Sequence, residues 1–228
     1  MMLKNRYSLV LIFAILSIIF GCKANSRNIL VIGDSNSAAS NSWVIKLNKL
    51  LPDYKILNTA IHGNTIGFDN LGRQDLNSLR CITHYLQKAD NELRKVDLIL
   101  IMLGTNDCKA IFKDSTSVVI PNLEKLIRKI NQHYAGKTGA CPEIILISPA
   151  PIADDTALEE KYHGAQKRLE QFCMHYSDVA DRTGIRYLDL HSELKSAGKT
   201  IHTDGIHLND DTYQRIATIV KEFITNCL

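Results

Sequence analysis

Much of what marks a metal, redox or nucleic-acid protein is missing from this chain of 228 residues. No Cys-x-x-Cys pair occurs, and the histidines show neither His-x-x-His nor His-Glu-x-x-His spacing, so no metal site or cofactor is expected. With Cys22 set aside, Cys81, Cys108, Cys141, Cys173 and Cys227 are odd in number and irregularly spaced. That is not a disulfide framework, and buried free thiols are expected for most of them. A basic stripe is also lacking. Removing residues 1–21 takes away Lys4 and Arg6 and no acid, so the formal net charge falls from +3 to +1, which gives no support for nucleic-acid binding. No repeat, low-complexity tract or block of like charge interrupts the remainder. At 228 residues and 45% hydrophobic, the whole chain is long enough for one well-packed domain and short for two.

What is present begins with a leader. Lys4 and Arg6 form a positive n-region, Leu9–Phe20 an apolar stretch too short to span a bilayer comfortably, and Gly21-Cys22 closes it. The ending Ile19-Phe20-Gly21-Cys22 resembles a bacterial lipobox, which implies acylation of Cys22 and an exported protein held to the membrane by a lipid anchor. An ordinary signal peptide cleaved nearby is the alternative. The expected organisation is a signal peptide over 1–21, a tether over 22–27 and one domain over 28–228.

Beyond the tether, apolar runs alternate with helix-period segments. Strands are expected at Asn28–Gly33, Tyr54–Ala60, Val96–Leu103, Glu143–Ser148 and Arg186–Leu190. Helices are expected at Ser42–Leu51, Leu76–Arg94, Val118–Tyr134, Leu158–Asp181 and Asp210–Thr225. Val96–Leu103 is nearly continuous apolar, as befits a central parallel strand covered on both faces. The pattern predicts a single three-layer α/β/α domain, doubly wound, with a five-stranded parallel sheet in the order 2-1-3-4-5. Ligands bind such sheets at the carboxyl ends of the strands.

The residues expected at those ends are suited to acyl transfer. Ser35 follows strand one in Gly33-Asp34-Ser35-Asn36-Ser37, Gly63 follows strand two, and Asn106 follows strand three in Gly104-Thr105-Asn106-Asp107. Asp204 and His207 precede the last helix. A serine hydroxyl needs a base, histidine titrates in the useful range, and a carboxylate must hold the imidazole in the right tautomer. Three residues apart on one loop, Asp204 can reach Nδ1 of His207 while Nε2 points toward Ser35. The N–H groups of Ser35 and Gly63 and the amide of Asn106 can serve as oxyanion donors. Asn209 and Asp210 read as the cap of the last helix. His62 and His202 read as exposed loop residues, Cys108 as a buried thiol and Trp43 as core.

These four blocks, in order and covering nearly the whole stretch after the leader, resemble the SGNH (GDSL-type) hydrolase family. Ile101–Asp107 and Ser148-Pro149-Ala150-Pro151 are most similar to its arylesterase/acyltransferase branch. The resemblance implies a flavodoxin-like fold and a metal-free serine esterase acting through an acyl-enzyme. It assigns Ser35 as nucleophile, His207 as base, Asp204 as its orienter and Gly63 and Asn106 as oxyanion donors, with Asp34 and Asp107 bracing their turns. Short-chain esters are the expected substrates, with acetyl groups on carbohydrate the leading physiological choice from the expected export. The oligomeric state stays open. Family members often follow the serine with an apolar residue; Asn36-Ser37-Ala38 is small and polar, so a less greasy entrance and a weaker tie to aryl esters are expected. A catalytically idle surface lipoprotein that binds glycan or a partner in the same crevice is the rival. A flavin or nucleotide binder is disfavoured because Gly33–Ser40 holds one glycine and no phosphate-cradling pattern.

Overall fold

The computed structural model describes residues 27–196 and 200–227. The expected leader over 1–21 and Cys22 lie outside the described residues. Five parallel strands form one sheet: β1 (Asn28–Gly33), β2 (Lys55–Asn58), β3 (Leu98–Met102), β4 (Glu143–Ile147) and β5 (Arg186–Leu188). Their order is β2-β1-β3-β4-β5, as the alternating pattern predicts. The helices are α1 (Ser35–Ala38), α2 (Trp43–Leu50), α3 (Ser78–Leu93), α4 (Val119–Thr138), α5 (Ala165–Cys173), α6 (Tyr176–Thr183), α7 (Leu190–Lys195) and α8 (Asp210–Cys227).

Alternation along the strands splits the core in two. Leu30, Ile32, Ile99, Ile101, Ile144 and Leu146 pack against α3, α4, α5 and α6. Ile29, Val31, Leu98, Leu100, Ile145 and Ile147 face α2, α7 and α8, with Trp43 wholly buried among them. Successive side chains of a strand point to opposite faces, so β3 must be apolar throughout. All five of its residues are buried. Gly33 pairs with Met102, which sets the loop after β1 beside the loop after β3.

Three elements differ from expectation. The long helix predicted over Leu158–Asp181 is two shorter helices preceded by 3-10 turns. Asp154 accepts the Thr156 N–H at 3.1 Å and Asp155 accepts the Gly164 N–H at 2.7 Å, so side chains capture amides that a longer helix would use internally. Between α5 and α6, the His175 N–H turns back to the Phe172 carbonyl at 3.0 Å and leaves the regular ladder. The fifth strand stops at Leu188 instead of Leu190, because Asp189 accepts the Ser192 N–H at 3.1 Å and caps α7, a helix the apolar pattern does not foretell. The second strand is four residues long and ends at Asn58, whose Oδ1 takes the Ala60 N–H at 3.1 Å. Asn209 does cap the last helix, accepting the Thr212 N–H at 2.9 Å, while Asp210 is its first residue and pairs with Lys46 at 2.8 Å.

Candidate active site

Each candidate residue is placed by a local device. Asp34 caps α1, its Oδ1 taking the Asn36 N–H at 3.0 Å, and this sets Ser35 at the first helical position directly after β1. A first-turn N–H has no partner within its own helix. The Ser35 N–H accordingly has none among the described residues. Gly63 turns the chain after β2 with φ +83°, a conformation that favours glycine, and its N–H is likewise unpaired among the described residues. Asn70 holds the Gly63 carbonyl at 2.6 Å and in turn accepts from the buried ammonium of Lys109 at 3.1 Å.

Asn106 is buried and oriented from both ends. Its Nδ2 donates to the Asn64 carbonyl at 3.1 Å, and its Oδ1 accepts from the Tyr162 hydroxyl at 3.2 Å. An amide nitrogen carries two hydrogens, so one remains for a ligand. Asn64 also donates to the Gly33 carbonyl at 3.1 Å, which ties the loop after β2 to the end of β1.

On the far side, Asp204 and His207 form a close pair, with His207 Nδ1 at 2.6 Å from Asp204 Oδ2. The other carboxylate oxygen accepts the N–H groups of Ile206 at 3.0 Å and His207 at 2.7 Å. Burial on its own would push Asp204 upward, but the His207 ring and these two amides hold it below the ordinary carboxylate value. With Nδ1 committed to Asp204, Nε2 is left for another partner. No hydrogen bond joins His207 to Ser35 among the described residues; their loops are joined through Asn36, whose side chain bonds to the backbone of Ile206 and Leu208. Catalytic hydrogen bonds are often formed only when substrate arrives.

A model of the GDSL-like lipase/acylhydrolase family matches residues 17–215. The chain belongs to that family. Of curated proteins, an acetylxylan esterase from Xylanibacter ruminicola is 27% identical over 143 residues; the match takes in 57% of this chain and 29% of that protein's length. Among solved structures, a carbohydrate acetylesterase from Sinorhizobium meliloti is 21% identical with TM-score 0.76, over 89% of this chain and 100% of its own. The M. smegmatis aryl esterase is 21% identical with TM-score 0.74, over the same shares. At such identities these structures speak for the fold.

In this GDSL-type chain the two remaining aspartates of the blocks brace turns. Asp107 accepts the Ile66 N–H on both oxygens at 3.0 Å. Burial pushes Asp107 up to about 7, against the opposing pull of the Ile66 and Gly67 amides. Burial likewise raises Asp34 to about 6, opposed by the Asn36 N–H and the Thr105 side chain. Three side-chain expectations change. Asn36 and Ser37 are buried and do not line an entrance: Ser37 Oγ receives the Trp43 indole N–H at 3.1 Å, so their polarity says nothing against aryl esters. His202 is half-buried and braces the loop after β4, its Nε2 at 2.7 Å from the Pro151 carbonyl. Of the free thiols Cys81, Cys108, Cys141 and Cys173, only Cys108 is buried. Sequence reasoning also missed Tyr162, Asn64 and Asn70. Asn64 adjoins Gly63 and was within reach, whereas nothing local in the sequence marks Tyr162.

The clefts of about 680 and 850 Å³ lie elsewhere. They share Cys141, Pro142 and Glu143 at the amino ends of the strands, opposite Ser35. Lys95 and Lys137 on their rim are paired with Asp97 and Asp90, each at 2.6 Å. Among the described residues, those lining these two clefts include no serine and no histidine, so neither cleft offers the nucleophile and base that acyl transfer needs.

Proposed function

We propose that this chain is a serine esterase that hydrolyses short-chain carboxylic esters through an acyl-enzyme. The observation that carries the reading is the His207–Asp204 pair at 2.6 Å, with Nε2 uncommitted among the described residues, on a loop bonded to the residue after Ser35. In the first step Ser35 Oγ attacks the ester carbonyl while His207 Nε2 takes its proton. Asp204 keeps Nδ1 protonated and stabilises the imidazolium. The developing oxyanion is met by the N–H groups of Ser35 and Gly63 and by the spare N–H of Asn106. His207 then gives its proton to the leaving alkoxide. Water, deprotonated by the same histidine, releases the acid and restores Ser35.

Acetyl esters of carbohydrate are the proposed physiological substrates. Support comes from relatives named as an acetylxylan esterase and a carbohydrate acetylesterase. Acylation of Cys22 and anchoring outside the cytoplasm are proposed with it, on the lipobox-like ending of the leader.

The test is hydrolysis of p-nitrophenyl acetate and of acetylated xylan by the wild type and Ser35→Ala. The variant is expected to fold normally, lose turnover and escape labelling by a fluorophosphonate. Retained turnover in a folded Ser35→Ala protein would refute the assignment.

A further inference from the structure

The residue after the candidate nucleophile is bonded to both neighbours of the candidate base. Asn36 Nδ2 donates to the Ile206 carbonyl at 3.3 Å, and the Leu208 N–H donates to Asn36 Oδ1 at 3.2 Å. The same Oδ1 accepts from the Tyr213 hydroxyl on α8 at 3.1 Å, and the Asn36 N–H is itself held by Asp34. Ser35 is thus the middle of Asp34-Ser35-Asn36, and His207 the middle of Ile206-His207-Leu208. One buried amide, 3% exposed, joins the two triplets across about 170 residues of chain.

We propose that Asn36 is a positioning residue that fixes the distance and tilt of His207 over Ser35. The proposal rests on the reading of Ser35 and His207 as nucleophile and base, and it adds how they are kept in register. The bonds between Asp204 and His207, from the ring and from the backbone N–H, lie within one loop, so that pair can move as a unit without losing its 2.6 Å contact. Asn36 supplies an external reference from the sheet-anchored side. Backbone bonds from Thr203 to the His207 carbonyl at 2.8 Å and from Ala153 to the Gly205 carbonyl at 3.0 Å hold the loop to itself and to the segment after β4, but neither reaches α1. An apolar side chain of the same size would fill the volume and make neither bond to the loop. It would also leave the Ile206 carbonyl without its partner in the interior, a cost that favours displacement of the loop.

The experiment compares wild type, Asn36→Leu, Tyr213→Phe, the double variant and Ser35→Ala on p-nitrophenyl acetate, with the folded fraction measured by circular dichroism. Because misplacement by about 1 Å can cost on the order of a hundredfold, Asn36→Leu is expected to lower kcat per folded molecule by about tenfold to a hundredfold with KM little changed. The rate of fluorophosphonate labelling should fall in step. Tyr213→Phe, which removes one bond and keeps the ring, should lower kcat by a few-fold and have no further effect on the Asn36→Leu background. A wild-type kcat per folded molecule in Asn36→Leu overturns the proposal, as do additive losses in the double variant. If Asn36→Leu does not fold, Tyr213→Phe alone decides, and an unchanged kcat there overturns it. Turnover that survives in Ser35→Ala would instead refute the assignment of the nucleophile.

Discussion

Asn106 follows β3 with its amide held at both ends: Tyr162 donates to its Oδ1, and the bond to the Asn64 carbonyl uses one of its two amide hydrogens and leaves the other to spare. Loss of an oxyanion donor is expected to cost about a hundredfold to a thousandfold in kcat, and Asn106→Ala should show it with KM nearly constant. Tyr162→Phe keeps the ring and removes only the orienting bond, so its loss should be smaller and of the same kind. Steady-state kinetics on both variants decide, and a change confined to KM would contradict the role. The places of Ser35, Gly63, Asn106, Asp204 and His207 in the fold are legible in the sequence because each lies in a short block next to a strand end or a helix start. The place of Tyr162 is not, since its contact with Asn106 spans 56 residues and comes from a 3-10 turn with no periodic signal. The polarity of Asn36 points to a less greasy entrance, whereas its side chain is buried against partners some 170 residues away in sequence.

At the scale of elements, the strands were readable because their apolar runs face helices on both sides, and each of the five strands overlaps its predicted span. What failed was helix continuity. Leu158–Asp181 carries helix-period apolar residues throughout, but Asp154 and Asp155 bond backbone amides nearby and Gly164 takes φ +71° before α5. Local side-chain capture of this sort competes with a helix and leaves the hydrophobic period intact. The turn after β3 depends on a glycine for a different reason. Gly104 has φ +128°, and an added Cβ would lie 2.5 Å from the Tyr176 hydroxyl oxygen and 3.1 Å from Pro149. That hydroxyl is fixed by a 2.8 Å bond to the Leu103 carbonyl, so it cannot yield freely. Gly104→Ala is therefore expected to lose about 1–3 kcal/mol or more of stability. It should lower kcat as well, because the same turn carries Asn106. Urea denaturation with parallel kinetics tests this, and wild-type stability would contradict it.

Across the whole molecule, the doubly wound sheet gathers residues from both ends of the sequence at one edge and buries two carboxyls behind them. Burial raises Asp34 to about 6 and Asp107 to about 7 from 3.8. Between those values the folded chain holds more protons than the unfolded one, so this contribution to stability is lost as pH rises through the window. Buried His191 and half-buried His202, lowered chiefly by desolvation, act in the opposite direction below 6.5. The stability difference between wild type and Asp107→Asn removes that background. It should shift against the wild type as pH rises from about 4 to about 7, as read by denaturant unfolding at each pH. A difference that is flat or moves the other way would contradict the assignment. The gathering of distant loops has its most direct consequence at Ser35, which should carry the acyl group during turnover. Acid-quenching the enzyme with p-nitrophenyl acetate and mapping its peptides by mass spectrometry should find one acetyl group on the Ser35 peptide, and none in Ser35→Ala. An acetyl group on any other residue, or turnover with no acylated peptide in a quench fast enough to trap one, would contradict the serine mechanism.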